Sequence, residues 1–152
     1  MIQEIINKNH ITNFSITEIL HGYSEGEIPP LLIPNIAPTL KLLQLIRNDI
    51  GIPISIHSTF RNPLHNERAN GEVNSLHLSF NAIDFAPVGC THESLKIIYN
   101  DLLRGKYQFD CYFHTIPYKV TPLLCGFGLY NTFIHIDTRG LLGRLSPAIW
   151  RG

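Results

Sequence analysis

The sequence predicts an α+β domain in which a small antiparallel sheet has helices packed on one side. Segments with helical periodicity and segments with strand alternation follow one another irregularly, without the repeated βαβ order that indicates a parallel sheet. The chain has 152 residues, of which 44% are hydrophobic, and this is enough to bury one core. We therefore expect a single domain over 1–152.

Three segments carry helix signals. Ser15 starts a capping-box pattern ahead of a short helix over 16–21. Apolar residues spaced three and four positions apart place one face of a helix over 35–49 in the core. Thr91 is a suitable cap for a further helix over 92–103.

Three other segments have the alternation or the β-branched content of strands, namely 52–58, 82–87 and 133–137. The aromatic-rich stretch over 107–120 fits either a strand or an irregular flap. The first dozen residues fit either a strand or a loose arm, and the sequence does not decide between them.

The remaining segments are predicted to be connections. Prolines and a glycine make 23–34 an extended loop, and the polar stretch over 62–74 is expected to be another loop. Residues 126–130 have the composition of a turn. Residues 141–152 are expected to form a tail in which Trp150 packs back onto the domain.

Composition argues against several classes of partner. Twelve Lys and Arg balance twelve Asp and Glu without a long run of either sign, so we expect binding neither to nucleic acid nor to a membrane. The three cysteines have no Cys-x-x-Cys spacing and predict neither a disulfide framework nor a thiolate zinc site. The N-terminus lacks a signal-peptide pattern, so we expect a protein that is cytoplasmic as synthesised. We further expect a monomer.

Two segments concentrate residues suited to metal chemistry. SLHLSFNAID contains Ser75, His77 and Asp84, and the carboxylate lies in an apolar setting where it is costly to bury unpaired. In FIHID, His135 and Asp137 point to the same face of a strand because side chains alternate along it. A shared metal ion would supply the partner that these polar groups need.

The first of these segments resembles S-x-H-x-x-G-x-A-x-D, the zinc-binding motif of the D-Ala-D-Ala carboxypeptidase and peptidoglycan endopeptidase family of metallopeptidases. The resemblance covers a core from about 14 to 139 and implies the hedgehog-like fold of that family. It also implies a zinc site with His77, Asp84 and His135 as ligands, a set that leaves a fourth coordination position for water.

The resemblance suggests roles for two further residues. Arg61 follows Ser58 as an arginine does ahead of the family motif, where it contacts the substrate's carbonyl or carboxylate, and a planar guanidinium suits either group. Without the resemblance, Arg61 is equally well explained as a surface residue that ends a strand. Ser75 is expected to support the motif by hydrogen bonding at the substrate site. His57 and His65 are further candidates for lining the cleft, although each is better explained as a strand-end or loop residue.

Two positions depart from the family pattern. Thr132 stands where many relatives carry the glutamate that acts as general base, and threonine cannot accept that proton. Asp137 is the predicted substitute, and an equally good alternative is that it orients His135 from behind. Phe80 replaces the motif glycine, which implies a changed loop if the glycine serves a positive φ.

The sequence therefore predicts a zinc-dependent peptidase that hydrolyses bacterial cell-wall stem peptides, as a D-Ala-D-Ala carboxypeptidase or an endopeptidase. A phage lysis or virion protein fits the lack of an export signal. One alternative is a cytoplasmic D,D-dipeptidase with the same metal site. The other is a cell-wall-binding module that keeps the fold and the metal but has lost catalysis through Thr132 and Phe80.

Overall fold

A five-stranded sheet with a separate two-stranded hairpin forms the frame of the computed structural model, which describes residues 1–152. The helices are α1 (Ile2–Lys8), α2 (Ile16–Leu20), α3 (Ile36–Ile50), α4 (Pro63–Arg68) and α5 (His92–Leu103). The strands are β1 (Ile54–Ser58), β2 (Ala82–Pro87), β3 (Phe109–Phe113), β4 (Ile116–Val120), β5 (Gly126–Leu129), β6 (Ile134–Asp137) and β7 (Ala148–Arg151). The predicted α+β class is confirmed.

The sheet has the strand order β1-β2-β6-β5-β7, and β3 pairs with β4 in the hairpin. The pairs β1–β2, β2–β6 and β5–β6 are antiparallel, whereas β7 lies parallel to β5. The sheet is therefore mixed rather than purely antiparallel. The reason is that residues 141–152, predicted to be a tail, return to the sheet and hydrogen-bond along its free edge.

The two faces of the sheet differ in chemistry. Ile83 and Phe85 on β2 and Ile134 and Ile136 on β6 are fully buried and belong to one apolar cluster with residues of α3 and α5. Because side chains alternate along a strand, Asp84 points to the opposite face. The helices thus cover the apolar face and leave the other face for the polar residues of the site.

The predicted helices are present with small shifts at their ends. In α2, Ser15 and Glu18 form the capping box that their spacing predicts. The long helix α3 covers the predicted 35–49 within one residue and ends at Gly51, which has a φ of 66°. The hydroxyl of Thr91 accepts a hydrogen bond from the backbone N–H of Ser94, and α5 matches the prediction.

Several predicted connections are regular structure instead. The loop predicted over 62–74 contains α4, whose first turn is capped by the side chain of Asn62. The loop over 23–34 folds into two short 3-10 helices, Glu25–Glu27 and Pro30–Asn35. The turn predicted over 126–130 is β5, because pairing with both neighbouring strands outweighs the weak strand propensity of its glycines.

The two undecided segments are now defined. Residues 107–120 contain the β3–β4 hairpin rather than an irregular flap. The first residues form α1, not a strand or a loose arm, and Ile2 is buried while Ile5 and Ile6 pack against the core. Their spacing of three and four places them on one helical face.

No helix combines the length and apolar character that crossing a membrane requires.

Phe80 adopts the conformation that normally favours glycine. Its φ is 52°, and its ring is fully buried with an edge-to-face contact to Phe60 at 6.0 Å between centroids. A left-handed conformation costs a residue with a side chain about 1–2 kcal/mol. The protein therefore accepts this strain at the motif's glycine position and gains a core aromatic ring.

We expect Phe80→Gly to be more stable than Phe80→Ala, which reverses the usual order. Both variants lose the buried ring, at a cost of about 3–5 kcal/mol, but only glycine also relieves the positive φ, worth about 1 kcal/mol. Urea unfolding with a chelator present would measure the two free energies of unfolding.

Phe85 provides the matched control, because it is equally buried but lies in the extended strand β2. At this position Phe85→Gly should be less stable than Phe85→Ala. A Phe80→Gly protein less stable than Phe80→Ala would show that the backbone at position 80 is not strained.

Candidate metal centre

The centre is built on a cross-strand pair. Asp84 on β2 lies directly opposite His135 on β6, and its Oδ1 is 2.8 Å from the Nδ1 of His135. A bulge in β1 shifts the register between Ile56 and Ser58, so that Ser58 faces Asp84 from the other side. The sheet itself therefore positions two of the three predicted ligands.

His77 reaches the same point from the turn that precedes β2. Its Nε2 is 3.2 Å from Oδ2 of Asp84, and its ring meets the ring of His135 edge to face at 5.2 Å. Behind the ring, Nδ1 lies 2.6 Å from the carbonyl oxygen of Thr59. Ser75 supports the turn by accepting a hydrogen bond from the backbone N–H of His77 at 3.3 Å.

Asp137 lies behind His135. Its Oδ2 is 2.8 Å from Nε2 of His135, the ring nitrogen that faces away from Asp84. Arg139 donates to both carboxylate oxygens of Asp137, from Nε at 2.9 Å and from a terminal nitrogen at 2.7 Å. Asp137 is fully buried, so this contact holds the imidazole in place.

The atoms that face the centre are all hydrogen-bond acceptors. A carbonyl oxygen cannot donate, so Nδ1 of His77 must donate to Thr59, which leaves Nε2 of the neutral ring as a lone pair. Donation from Nε2 of His135 to Asp137 leaves Nδ1 as a lone pair in the same way. With the carboxylate of Asp84, these ligand atoms lie within 4.8 Å of one another. Converging acceptors need a cation between them, and an N, O, N set with each imidazole oriented from behind fits zinc.

The centre forms the floor of an open cleft of about 670 Å³. All three candidate ligands line it, as do Arg61 and Ser75. Arg61 donates from Nε to the hydroxyl of Ser58 at 3.0 Å and from a terminal nitrogen to Asp84 at 3.2 Å. The five residues predicted to bind metal or substrate are thus brought together.

The remaining candidates lie elsewhere. Asp137 does not line the cleft. His57 is exposed on β1 beside the ring of Phe133, and His65 pairs with the hydroxyl of Tyr23 at 2.8 Å. Neither histidine lines the cleft.

A family model described as Peptidase M15 matches residues 12–137. The chain belongs to the peptidase M15 family. This is the D-Ala-D-Ala carboxypeptidase-like family of metallopeptidases with the hedgehog-like fold, so the predicted resemblance and the metallopeptidase class are confirmed. No curated protein matches the chain.

Sequence reasoning missed several residues of this M15 cleft. Its walls also carry Glu72, Tyr130, Arg139, Arg144 and Trp150. Arg144 and Trp150 come from the predicted tail over 141–152, and Arg139 is the last residue of the predicted core. Glu72 could have been found only as a carboxylate in the loop just ahead of the motif.

A buried polar network fixes the motif against the rest of the M15 domain. The amide of Asn81 donates to the carbonyl of Asn35 and to the hydroxyl of Thr138, and its oxygen accepts from the backbone N–H of Thr138. The hydroxyl of Thr39 on α3 donates to the carbonyl of Asn81 at 2.7 Å. These contacts tie the start of β2 to α3 and to the end of β6.

The charges of the centre are strongly coupled. Burial raises the pKa of Asp84, but its close contacts with His135 and His77 outweigh that effect and hold the pKa well below its usual range. Burial lowers the pKa of His77. Burial also lowers the pKa of His135, but its hydrogen bonds with Asp137 and Asp84 outweigh that effect and raise the pKa to about 9.

We expect zinc to stabilise the protein and Asp84→Asn to abolish the effect. At a free zinc concentration 100 times the dissociation constant, binding to the folded state alone adds about 2.7 kcal/mol. Asparagine keeps the shape of the ligand and removes its charge. Thermal unfolding with zinc and with chelator, together with metal content, measures the difference.

Glu93→Gln is the control for this experiment, because Glu93 is an exposed carboxylate on α5 that does not line the cleft. It should respond to zinc as the unmodified protein does. An unmodified protein whose unfolding temperature ignores zinc would contradict the metal centre.

The metal-free protein should lose stability as the pH rises from 6.5 to 9. The folded-state pKa of His135 lies above its ordinary value of 6.5, so its protonated form stabilises the fold below 6.5 and this contribution disappears as the pH passes 9. Burial lowers the pKa of His77 and keeps it neutral in the folded state. In the unfolded chain His77 loses its proton around its ordinary pKa of 6.5, so its opposite contribution to stability is confined to the start of this range. Thermal unfolding of chelated protein across this range tests the sign.

His135→Gln should remove most of this pH dependence, because glutamine does not titrate. Equal stability of the chelated, unmodified protein at both ends of the range would show that no proton replaces the metal between Asp84 and His135.

Proposed function

We propose that this M15 chain is a zinc-dependent peptidase that hydrolyses peptide bonds in peptidoglycan stem peptides. The observation that carries the proposal is the convergence of His77, Asp84 and His135 at the floor of an open, arginine-lined cleft. Delivery to the cell wall by a phage lysis or virion system is part of the same proposal.

A zinc ion held by these three residues would supply Lewis acidity toward the scissile carbonyl and would lower the pKa of a water molecule. The chain's own groups bind and orient the substrate. Arg61 uses only part of its guanidinium on Ser58 and Asp84. Its remaining N–H donors serve a substrate carboxylate or carbonyl, for which the planar fork is well suited. Ser75 completes this side of the cleft.

The substrate proposal is supported by the charge and size of the cleft. Arg61, Arg139 and Arg144 place cationic side chains along it, and the aromatic rings of Tyr130 and Trp150 lie in its wall. Stem peptides carry free carboxylates together with short apolar side chains. A cleft of about 670 Å³ that is open to solvent accepts a segment of a longer chain.

Asp137 has two proposed roles, and its surroundings support orientation of His135 over proton transfer. It is fully buried and is held by Arg139 and His135, so a water molecule in the cleft would not reach it. Glu72 lines the cleft with an exposed side chain that forms no ion pair. We therefore propose Glu72 as the proton acceptor.

A second candidate function is a cell-wall-binding module that retains the metal without catalysis. The position of the family's glutamate is occupied by the exposed Thr132, and no carboxylate of β6 faces the cleft. In this alternative the centre is structural and the cleft binds a stem peptide without cleaving it.

The test is zinc-loaded protein incubated with purified stem peptides ending in D-Ala-D-Ala, with cross-linked muropeptides and with free D-Ala-D-Ala, analysed by mass spectrometry. Cleavage of a stem peptide that stops with chelator and returns with zinc supports the peptidase. Cleavage of the free dipeptide alone supports a D,D-dipeptidase. Binding without any cleavage supports the module.

Asp137→Asn separates the two roles of that residue. If Asp137 orients His135, zinc affinity falls by about 10–100-fold and excess zinc restores part of the activity. If Asp137 is the base, zinc affinity is unchanged and kcat falls.

Glu72→Gln should lower kcat at unchanged zinc affinity, because glutamine cannot accept the proton. Full activity in this variant would contradict the role of Glu72 as proton acceptor.

A further inference from the structure

One row of side chains crosses all five strands of the sheet at the level of the metal centre. The pairing registers place Ser58, Asp84, His135, Gly128 and Trp150 side by side, one residue from each strand. Directly opposed residues on neighbouring strands point to the same face. The row therefore begins at Ser58 on β1 and ends at Trp150 on β7, two strands that carry no candidate metal ligand.

Gly128 brings the last member of the row to the ligands. A Cβ atom at Gly128 would lie 2.5 Å from Cε2 and Nε1 of Trp150, so the indole occupies the space that a side chain would fill. Lying across this glycine, the indole reaches His135 with 5.1 Å between ring centroids. Its Nε1 donates to the hydroxyl of Tyr130 at 2.9 Å, which fixes the plane of the ring.

Trp150 also holds the arginine behind Asp137. The guanidinium of Arg139 lies over the indole at 5.3 Å from the ring centre and makes its two hydrogen bonds to Asp137 from there. A Cβ at Gly126 would lie within 2.7 Å of both Arg139 and Asp137. The two glycines of β5 thus leave room for a stacked chain of contacts that ends on His135.

We propose that the C-terminal segment, residues 139–151, is a positioning element that sets the metal affinity of the centre through Arg139 and Trp150. These residues lie beyond 12–137, the part of the chain that the family model matches. Trp150 restrains one face of the His135 ring. Arg139 aligns the carboxylate of Asp137, which accepts the Nε2–H of His135. The inference rests on the metal site of the proposed function.

The test compares zinc dissociation constants, measured by competition with a chromophoric chelator. Arg139→Gln and Trp150→Leu should weaken zinc binding by about 10–100-fold, as loss of groups that orient ligands does. Gly128→Ala should act in the same direction, because its methyl group displaces the indole. Trp150→Phe keeps an aromatic ring between His135 and Arg139, so it should retain most of the zinc affinity that Trp150→Leu loses.

Ile149→Ala is the matched control. Ile149 is next to Trp150 on β7, is 56% exposed and points to the other face of the sheet. The zinc affinity of the Ile149→Ala protein should equal that of the unmodified protein. Unfolding of each chelated variant shows whether the metal-free fold is intact, and the visible absorption of bound Co²⁺ reports the ligand geometry independently of stability.

Trp150 is the sole tryptophan of the chain, so its fluorescence supplies a second readout. Co²⁺ binding should quench it, and Asp84→Asn should abolish the quenching. Folded Arg139→Gln with unmodified zinc affinity and an unmodified Co²⁺ spectrum would overturn the inference, even if Trp150→Leu does not fold. Failure of the unmodified protein to bind zinc would instead overturn the proposed function.

Discussion

Three buried acceptor groups that converge on one point impose the main constraint on this fold. Asp84, His77 and His135 face one another at hydrogen-bonding distances with no donor among them once each imidazole has donated its other N–H. Arg61 donates to Asp84 from one side. The repulsion that remains is relieved by a cation between the three groups, either a metal ion or, in its absence, a proton on His135. The surrounding structure holds these three groups together in spite of their mutual repulsion.

The sheet meets this constraint through small departures from regular pairing. The bulge in β1 turns Ser58 toward Asp84, where it accepts a hydrogen bond from Arg61. The glycines of β5 leave space on the same face for Arg139, Asp137 and Trp150. Glycines and bulges weaken a strand in isolation. Here the glycines lie in β5, which pairs with both β6 and β7, and the bulge lies in the edge strand β1, so the sheet tolerates them where the site needs room.

The candidate ligands were predictable because their signals are local. His77 and Asp84 belong to one motif, and the alternation of FIHID places His135 and Asp137 on one strand face. The helices α3 and α5 were predictable for the same reason, since periodicity and caps lie within each segment. The role of Asp137 was left between two alternatives because its burial depends on residues of other strands, and Arg139 packs against it in space that Gly126 of β5 leaves open.

The sequence by itself determined the fold class, the family and the residue types that converge on the centre, since all three depend on short-range pattern. Tertiary structure alone decided that residues 148–151 form a parallel edge strand and that Trp150 reaches His135 across Gly128. The physical reason is that strand pairing and close approach depend on partners distant in the chain. A glycine that leaves space for an indole 22 positions later has no local signal.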